Sequence, residues 1–571
     1  MNALAAKVVR YARSRQLLTL SLLIALCCSV ANILFNDHIG DDTAGFYTRM
    51  AREIAAGNYA RAYFHSMPPL MPTLAGLLGK SGIDPWTAMK TVSCIFFIGA
   101  TVWVYRLARL RLSPQQAQWC PLLYVACSRL LRYGMAGQLD AGKMFFLLLA
   151  FEGALRFVIR ARWQYLVQAA LGGTCLALAR NEGVVYLPLL MALIVSREWL
   201  TTSTADNFSR RQFSLGAARA GFVLGIFAIM SSPWIYYQYQ VTGYPLLSSK
   251  QIPVLRRILP ISVIEQDPCA DAVRAHRRQA LAYGLCRDDA AVEPDAETQD
   301  AMPGDWLSQF QDPAVGSVPY KLKEMLKGVY LRYAVFALVG IVALILRRQW
   351  KLFDTLNGII LAYHLLSHWV LLPNIEKRLI VPAIPFYFPW VIIAFSTGLT
   401  RSRLRLPAVL VRRARTLGVV AVGLAFALSI WAGMSSVRET LRGADRVEMD
   451  IGTWIRDNRD RLDTNADNRQ QSSLLPWGYH DGRQPVILTD RPQIVYWANG
   501  DYEPLIGMYR GAQHQQVVNL CRFRKVDLII VDADFLQAFS GFDPDGPQIS
   551  MMTDQWEDAG ILVYAFNPGA N

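Results

Sequence analysis

The chain has 571 residues, 53% of them apolar, and a formal charge of +14. A positive mean hydropathy at this aromatic content does not suit a soluble protein, and the basic excess does not mark a nucleic-acid binder. From Val437 onward 13 Lys and Arg face 20 Asp and Glu, a balance of −7, so the remainder carries +21. That excess sits in short clusters such as Arg106/Arg109/Arg111, Arg156/Arg160/Arg162 and Arg347/Arg348/Lys351, at alternate ends of successive apolar stretches. It records membrane topology by the positive-inside rule and leaves no nucleic acid among the expected partners.

About eleven apolar stretches recur, near 17–35, 88–105, 118–135, 142–159, 165–180, 184–196, 216–236, 328–346, 355–372, 380–398 and 416–436. Each approaches the length that crosses a hydrocarbon core of roughly 30 Å. The first follows basic residues and has no small-residue cleavage site, so it is expected to stay as an anchor with the N-terminus inside. After it comes Asn36-Asp-His-Ile-Gly-Asp-Asp-Thr-Ala-Gly-Phe-Tyr47, whose adjacent carboxylates Asp41 and Asp42 open an aromatic, Arg-containing outer loop. The loop runs through Ala51-Arg52-Glu53 and His65 to a Pro68-Pro-Leu-Met-Pro72 turn.

Further along, Asp140 falls between the third and fourth stretches and Arg180-Asn-Glu182-Gly183 closes the fifth. Glu152 lies within a span and is expected to pair with Arg156 at i,i+4. Residues 237–327 form a long outer loop in which a Cys269–Cys286 disulfide is one expectation in an oxidising compartment and two free thiols the other. His364 and His368 share a helix face without the Glu of the zincin motif. His368, nearer the outer face, is a candidate substrate contact, with a hydrogen-bonded buried histidine as the competing reading. Glu376-Lys377-Arg378 then precedes a Pro-containing span.

An odd number of spans places the last region outside. The chain therefore divides into a membrane domain, 1–436, and a soluble domain, 437–571. The latter opens with a helical pattern (Val447 to Ile455) and continues with apolar runs at 485–490, 526–532 and 560–566, expected to be strands of a small α/β domain.

Four inter-span turns thus bring charge of both signs to one membrane face, where ionisable groups are costly and mark substrate paths. The chemistry that suits them is transfer from a lipid phosphate. Asp41 or Asp42 would act as general base, while Arg378, Lys377 and Arg180 would hold a phosphate and stabilise its charge on departure. Plainer roles compete. The Asp pair could form a solvated turn or helix cap, Arg180 and Glu182 could pair with each other, Lys377 and Arg378 could anchor on lipid, and Asp140 could cap a helix.

In order and sidedness these motifs resemble the GT-C integral-membrane glycosyltransferases, closest to the branch of protein O-mannosyltransferases and lipid A aminoarabinose transferases. Asp41-Asp42, Tyr47 and Ala51-Arg52-Glu53 stand at the family's first-loop motif, Pro68 to Pro72 at its proline turn, and Asp140 at its outer Asp. Leu178-Ala-Arg-Asn-Glu-Gly183 stands at the end of a later span, and Glu376-Lys-Arg-Leu-Ile-Val-Pro382 at its late basic turn. The second acid is Asp rather than Glu. Met67 stands where the aminoarabinose enzymes carry Lys, which counts against that sugar.

The resemblance implies an α-helical polytopic fold, a polyprenyl-phosphate-linked sugar as donor, inversion at the anomeric carbon and Asp41 as base. Arg378, Lys377 and Arg180 would hold the donor phosphate, with Tyr47, His65, Asp140, Glu182, Glu376 and His368 toward substrate. The tail resembles the outer domains of bacterial members, which implies a bacterial inner membrane. The acceptor stays open among lipid, glycan and protein, and no cofactor is required, with a divalent metal as an open alternative. A lipid-linked glycan flippase, a metal-dependent oligosaccharide transferase of the same fold and a non-catalytic scaffold are the competing classes. No paired repeat of the kind common in transporters is evident.

Overall fold

The computed structural model describes residues 16–36, 39, 43–63, 67–201, 210–242, 245, 247, 318–329, 331–371, 377–400, 444–458, 486–489, 491–498, 501–503, 514, 517–518, 521, 526–539 and 542–566. Asp41, Asp42, His65, Cys269, Cys286, Glu376 and the stretch at 416–436 lie outside these residues. Helices dominate up to Thr400, and a small sheet lies beyond Val486.

Four helices among the described residues are long and apolar enough to cross a membrane: Gln16–Phe35, Pro85–Ala108, Ser214–Gln240 and Arg378–Ser396. The bent pair Pro319–Val329 and Tyr333–Leu346 makes a fifth if taken as one span. Several other expected spans are helices of a different kind. Trp163–Ala179, Tyr186–Thr201 and Leu331–Leu346 have 17, 16 and 16 residues. Asp140–Arg160 reaches 21 residues but carries Lys143, Glu152 and Arg156 within its length.

The stretch at 118–135 is not one helix. It breaks at Cys127, whose ψ of 107° is extended, into Trp119–Ala126 and the strongly amphipathic Ser128–Met135. Arg129 and Arg132 in the second half are the physical reason, since a lipid-facing span does not accommodate two charges one turn apart. The stretch at 380–398 likewise begins as a 3-10 segment, Val381–Tyr387, before the α-helix Phe388–Thr400. Pro382 and Pro385 remove two backbone donors there and favour the tighter winding.

Small residues set how closely the membrane helices pack. A Cβ on Gly172 would lie 2.7 Å from the backbone nitrogen of Ala150, and one on Gly153 2.8 Å from that of Ala169. Asp140–Arg160 and Trp163–Ala179 therefore approach backbone to backbone, the arrangement that small residues permit in membranes. Glu152 sits between them with no exposure. Its carboxylate meets Arg156, accepts from Arg106 Nε at 3.1 Å and from Gln168 Nε2 at 2.6 Å. The expected i,i+4 pair is present and extends into a network.

A second buried ion pair ties more distant parts of the chain. Asp354, fully buried on Leu352–Leu371, accepts from Arg111 Nε at 2.8 Å, from Trp390 Nε1 at 2.9 Å and from the Lys351 amide at 2.9 Å. Its two oxygens thereby join three separate segments.

The tail holds a five-stranded sheet in the order β2-β1-β3-β5-β4, with β1 Val486–Leu488, β2 Asp501–Glu503, β3 Leu528–Val531, β4 Ile549–Thr553 and β5 Leu562–Phe566. β1 pairs parallel with β2 and β3, whereas β5 runs antiparallel to β3 and β4. The continuous apolar runs have a direct cause, because both faces are covered. Ile487, Leu528 and Ile530 pack with Ile451 and Ile455 of Ala444–Asp457, and Leu488, Ile529 and Val531 with Phe535 and Phe539 on the other side.

Candidate active site

The region of the first loop is built on contacts from three parts of the chain. Tyr47, 3% exposed, packs in a cluster with Met50, Met71, Trp86 and Leu139. Thr43, fully buried, donates from Oγ1 to the Gly137 carbonyl at 3.4 Å. On the other side of the acidic pair, Ile39 is buried and its carbonyl accepts from Gln493 Nε2 at 3.3 Å.

Gln493 belongs to the tail helix Pro492–Trp497, so the tail reaches the first loop directly. Tyr496 of the same helix donates to Asp84 Oδ1 at 2.7 Å, while Asp84 Oδ2 caps the helix Pro85–Ala108 by accepting from the Thr87 amide at 3.0 Å. Burial, reinforced by the Asp84 carboxylate, pushes the Tyr496 phenol well above its usual range, so it serves as a donor throughout physiological pH. Arg52, Asp84, Arg456, Tyr496 and Trp497 line a cleft at this junction.

A charged cluster lies where Asp140–Arg160 begins and Trp163–Ala179 ends. Asp140 is 1% exposed, and Arg180 Nη2 is 3.7 Å from its Oδ1. Arg180 Nε also lies 3.2 Å from Glu182 Oε2. Arg180 and Glu182 thus pair with each other, as the plainer of the competing readings has it, and Arg180 in addition faces Asp140. Its backbone is extended (φ −154°, ψ 134°), which ends the helix and starts the 3-10 turn Asn181–Val185.

Gly183 is required in this turn, because a Cβ there would stand 2.1 Å from the Leu176 carbonyl oxygen. Gly183→Ala is therefore expected to strain the turn by about 1–3 kcal/mol and to displace Arg180 and Glu182. Titration of the purified variant with undecaprenyl phosphate checks this, and affinity equal to that of the wild type would refute it.

Lys143, one turn after Asp140, has no exposure and lies within electrostatic reach of Glu182, Arg180, Asp140 and Arg378. Its ammonium is 3.2 Å from His368 Nε2 and donates to the Leu379 carbonyl at 3.2 Å. His368 is 3% exposed and its Nδ1 donates to the His364 carbonyl at 2.7 Å, while His364 Nδ1 meets Tyr186 Oη at 2.6 Å.

Of the residues expected in the site, Asp140, Arg180 and Glu182 form one charged cluster and His368 contacts Lys143, which bonds to the carbonyl of Leu379 next to Arg378; Lys143 itself is absent from the expected set. The available signal was a lysine inside an apolar stretch, three residues after Asp140, where an ionisable group is expensive. Tyr47 packs in the apolar cluster of the first loop with Met50 and Met71. Lys377 opens the short helix Lys377–Ile380. No group of three or more His, Cys, Asp or Glu among the described residues is arranged to hold a metal ion.

The architecture matches solved membrane glycosyltransferases. The Archaeoglobus fulgidus oligosaccharyltransferase in its apo form aligns at a TM-score of 0.59 and 12% identity, over 95% of this chain and 73% of that one. ArnT from Cupriavidus metallidurans aligns at 0.53 and 13% in the apo state, over 96% of this chain and 97% of its own. The same ArnT bound to undecaprenyl phosphate gives 0.52 and 12%, again over 96% and 97%. The fold is the GT-C fold of integral-membrane glycosyltransferases. Within it, residues 66–206 match the family of dolichyl-phosphate-mannose-protein mannosyltransferases, a segment that includes Asp140, Lys143, Arg180 and Glu182. No curated protein matches the chain by sequence.

Proposed function

We propose that the chain is a glycosyltransferase that moves a sugar from a polyprenyl-phosphate donor to an acceptor at the outer face of the membrane, with inversion. The observation that carries this reading is the ion-paired cluster of Arg180 with Asp140 and Glu182, next to the buried Lys143, at helix ends that fall within the family match. Guanidinium and ammonium groups held out of water are suited to a lipid-borne phosphate, whose charge they stabilise more strongly than bulk solvent would. Support also comes from the neighbours, since ArnT has been solved with undecaprenyl phosphate and the Archaeoglobus enzyme with a dolichol-phosphate.

In this reaction an acceptor hydroxyl or amine attacks the anomeric carbon. Its proton passes to Asp41, with Asp42 beside it, and the bond from that carbon to the phosphate oxygen breaks. Polyprenyl phosphate leaves with the electron pair, held by Arg180, Arg378 and Lys377, while Asp140, Glu182, Glu376, His368, His65 and Tyr47 shape the substrate side. The membrane is the bacterial inner membrane, with the N-terminus cytoplasmic and the tail in the periplasm.

The test is transfer by purified protein in lipid from a panel of polyprenyl-phosphate sugars to lipid, glycan and peptide acceptors. Turnover with at least one pair is expected. Lipid movement across the bilayer without turnover on any pair would replace the enzyme with a flippase. The similarity to an oligosaccharyltransferase keeps a metal-dependent oligosaccharide transferase as the second reading. Loss of turnover in a chelator, restored by a divalent cation, together with preference for an oligosaccharide donor, would select it.

A further inference from the structure

We infer that Lys143 is a ligand of the donor's phosphate and that His368 holds it in position. The inference rests on the glycosyltransferase reading and assigns to it a residue that its motifs do not contain.

A backbone carbonyl only accepts, so the 2.7 Å contact to the His364 carbonyl places the His368 proton on Nδ1. The Nε2 of the neutral ring then presents a lone pair, and the Lys143 ammonium donates to it at 3.2 Å. A second N–H of Lys143 goes to the Leu379 carbonyl, also at 3.2 Å. Both acceptors are neutral. An ammonium has three donors, and the third meets no acceptor among the described residues.

One helical turn earlier, both carboxylate oxygens of Asp140 are buried and accept no hydrogen bond among the described residues. A fully buried ammonium with a donor to spare thus stands one turn from a buried carboxylate. That carboxylate faces the Arg180 guanidinium at 3.7 Å but accepts no hydrogen bond among those residues, and it is not bonded to the lysine. Burying such groups is costly unless their hydrogen-bonding capacity is met. The phosphodiester that joins sugar to polyprenyl chain in the donor meets both needs, because a phosphate oxygen accepts from Lys143 and a neighbouring sugar hydroxyl donates to Asp140. The bond to Leu379 also fixes the backbone next to Arg378, so the lysine and that guanidinium are set in one geometry.

The experiment compares binding of undecaprenyl phosphate with that of undecaprenol, the same chain without the phosphate, to purified protein in nanodiscs. Wild type is expected to prefer the phosphate. Lys143→Met is expected to lose about 10- to 100-fold in affinity for the phosphate, the worth of a hydrogen bond to a charged group, with undecaprenol binding unchanged. His368→Leu should weaken phosphate binding in the same selective way, while His368→Gln, whose amide oxygen can accept from Lys143, should restore it. A folded Lys143→Met that keeps the wild-type preference overturns the inference and leaves the lysine as a tether. Should Lys143→Met fail to fold, equal phosphate affinity in His368→Leu and His368→Gln overturns it instead. Absence of any preference in wild type removes the proposed donor as well, which separates failure of the function from failure of the residue.

Discussion

Asp41→Asn is expected to lower sugar transfer by about 10²- to 10⁴-fold, the usual contribution of a positioned general base, with undecaprenyl phosphate affinity unchanged. The amide keeps the shape of the side chain and its acceptor oxygen but does not take a proton, so it separates catalysis from binding. The residues on either side of the acidic pair are firmly held. Ile39 and Thr43 are both buried, one bonded to the tail and the other to Gly137. Substitution between two such anchors should leave the surrounding fold intact. Single-turnover transfer and lipid titration on the same preparation check this. A larger loss in Asp42→Asn than in Asp41→Asn would move the base by one residue, and transfer insensitive to both would remove the carboxylate mechanism.

The largest stability effect is expected at Asp354. Asp354→Ala should cost about 3–5 kcal/mol, the penalty of breaking a buried ion pair by removing one partner. Arg111 would lose its carboxylate, and the indole N–H of Trp390 and the amide of Lys351 would lose their acceptor in the same step. Thermal unfolding in detergent should show a marked downward shift. The double substitution Arg111→Met with Asp354→Leu should recover part of it, because hydrophobic replacement removes both desolvation costs together. A single variant as stable as wild type would mean that water reaches the pair.

What the sequence disclosed followed separation along the chain. Glu152 and Arg156 are four residues apart on one helix, so periodicity alone brings them together, and Arg180 and Glu182 are close simply because they share one short turn. Arg111 and Asp354 are 243 residues apart, and Lys143 and His368 are 225 apart. No local pattern encodes such a meeting; it depends on how the helices pack. In the tail, β1, β3 and β5 were legible because they carry continuous apolar runs. β2 is the three residues Asp501–Glu503 and β4 is an edge strand with exposed Ser550 and Met551, so neither gives an apolar signal. The break at Cys127 was hidden by the hydropathy of its surroundings, although Arg129 and Arg132 stood in plain view.

The bonds from Gln493 to Ile39 and from Tyr496 to Asp84 join positions 454 and 412 residues apart. In biosynthesis the first loop therefore emerges hundreds of residues before the helix that bonds to it. It must wait, already carrying its acidic pair, until that helix has been translated. A product truncated before Pro492 that has inserted normally would lack both contacts, so this loop is secured only well after its own synthesis.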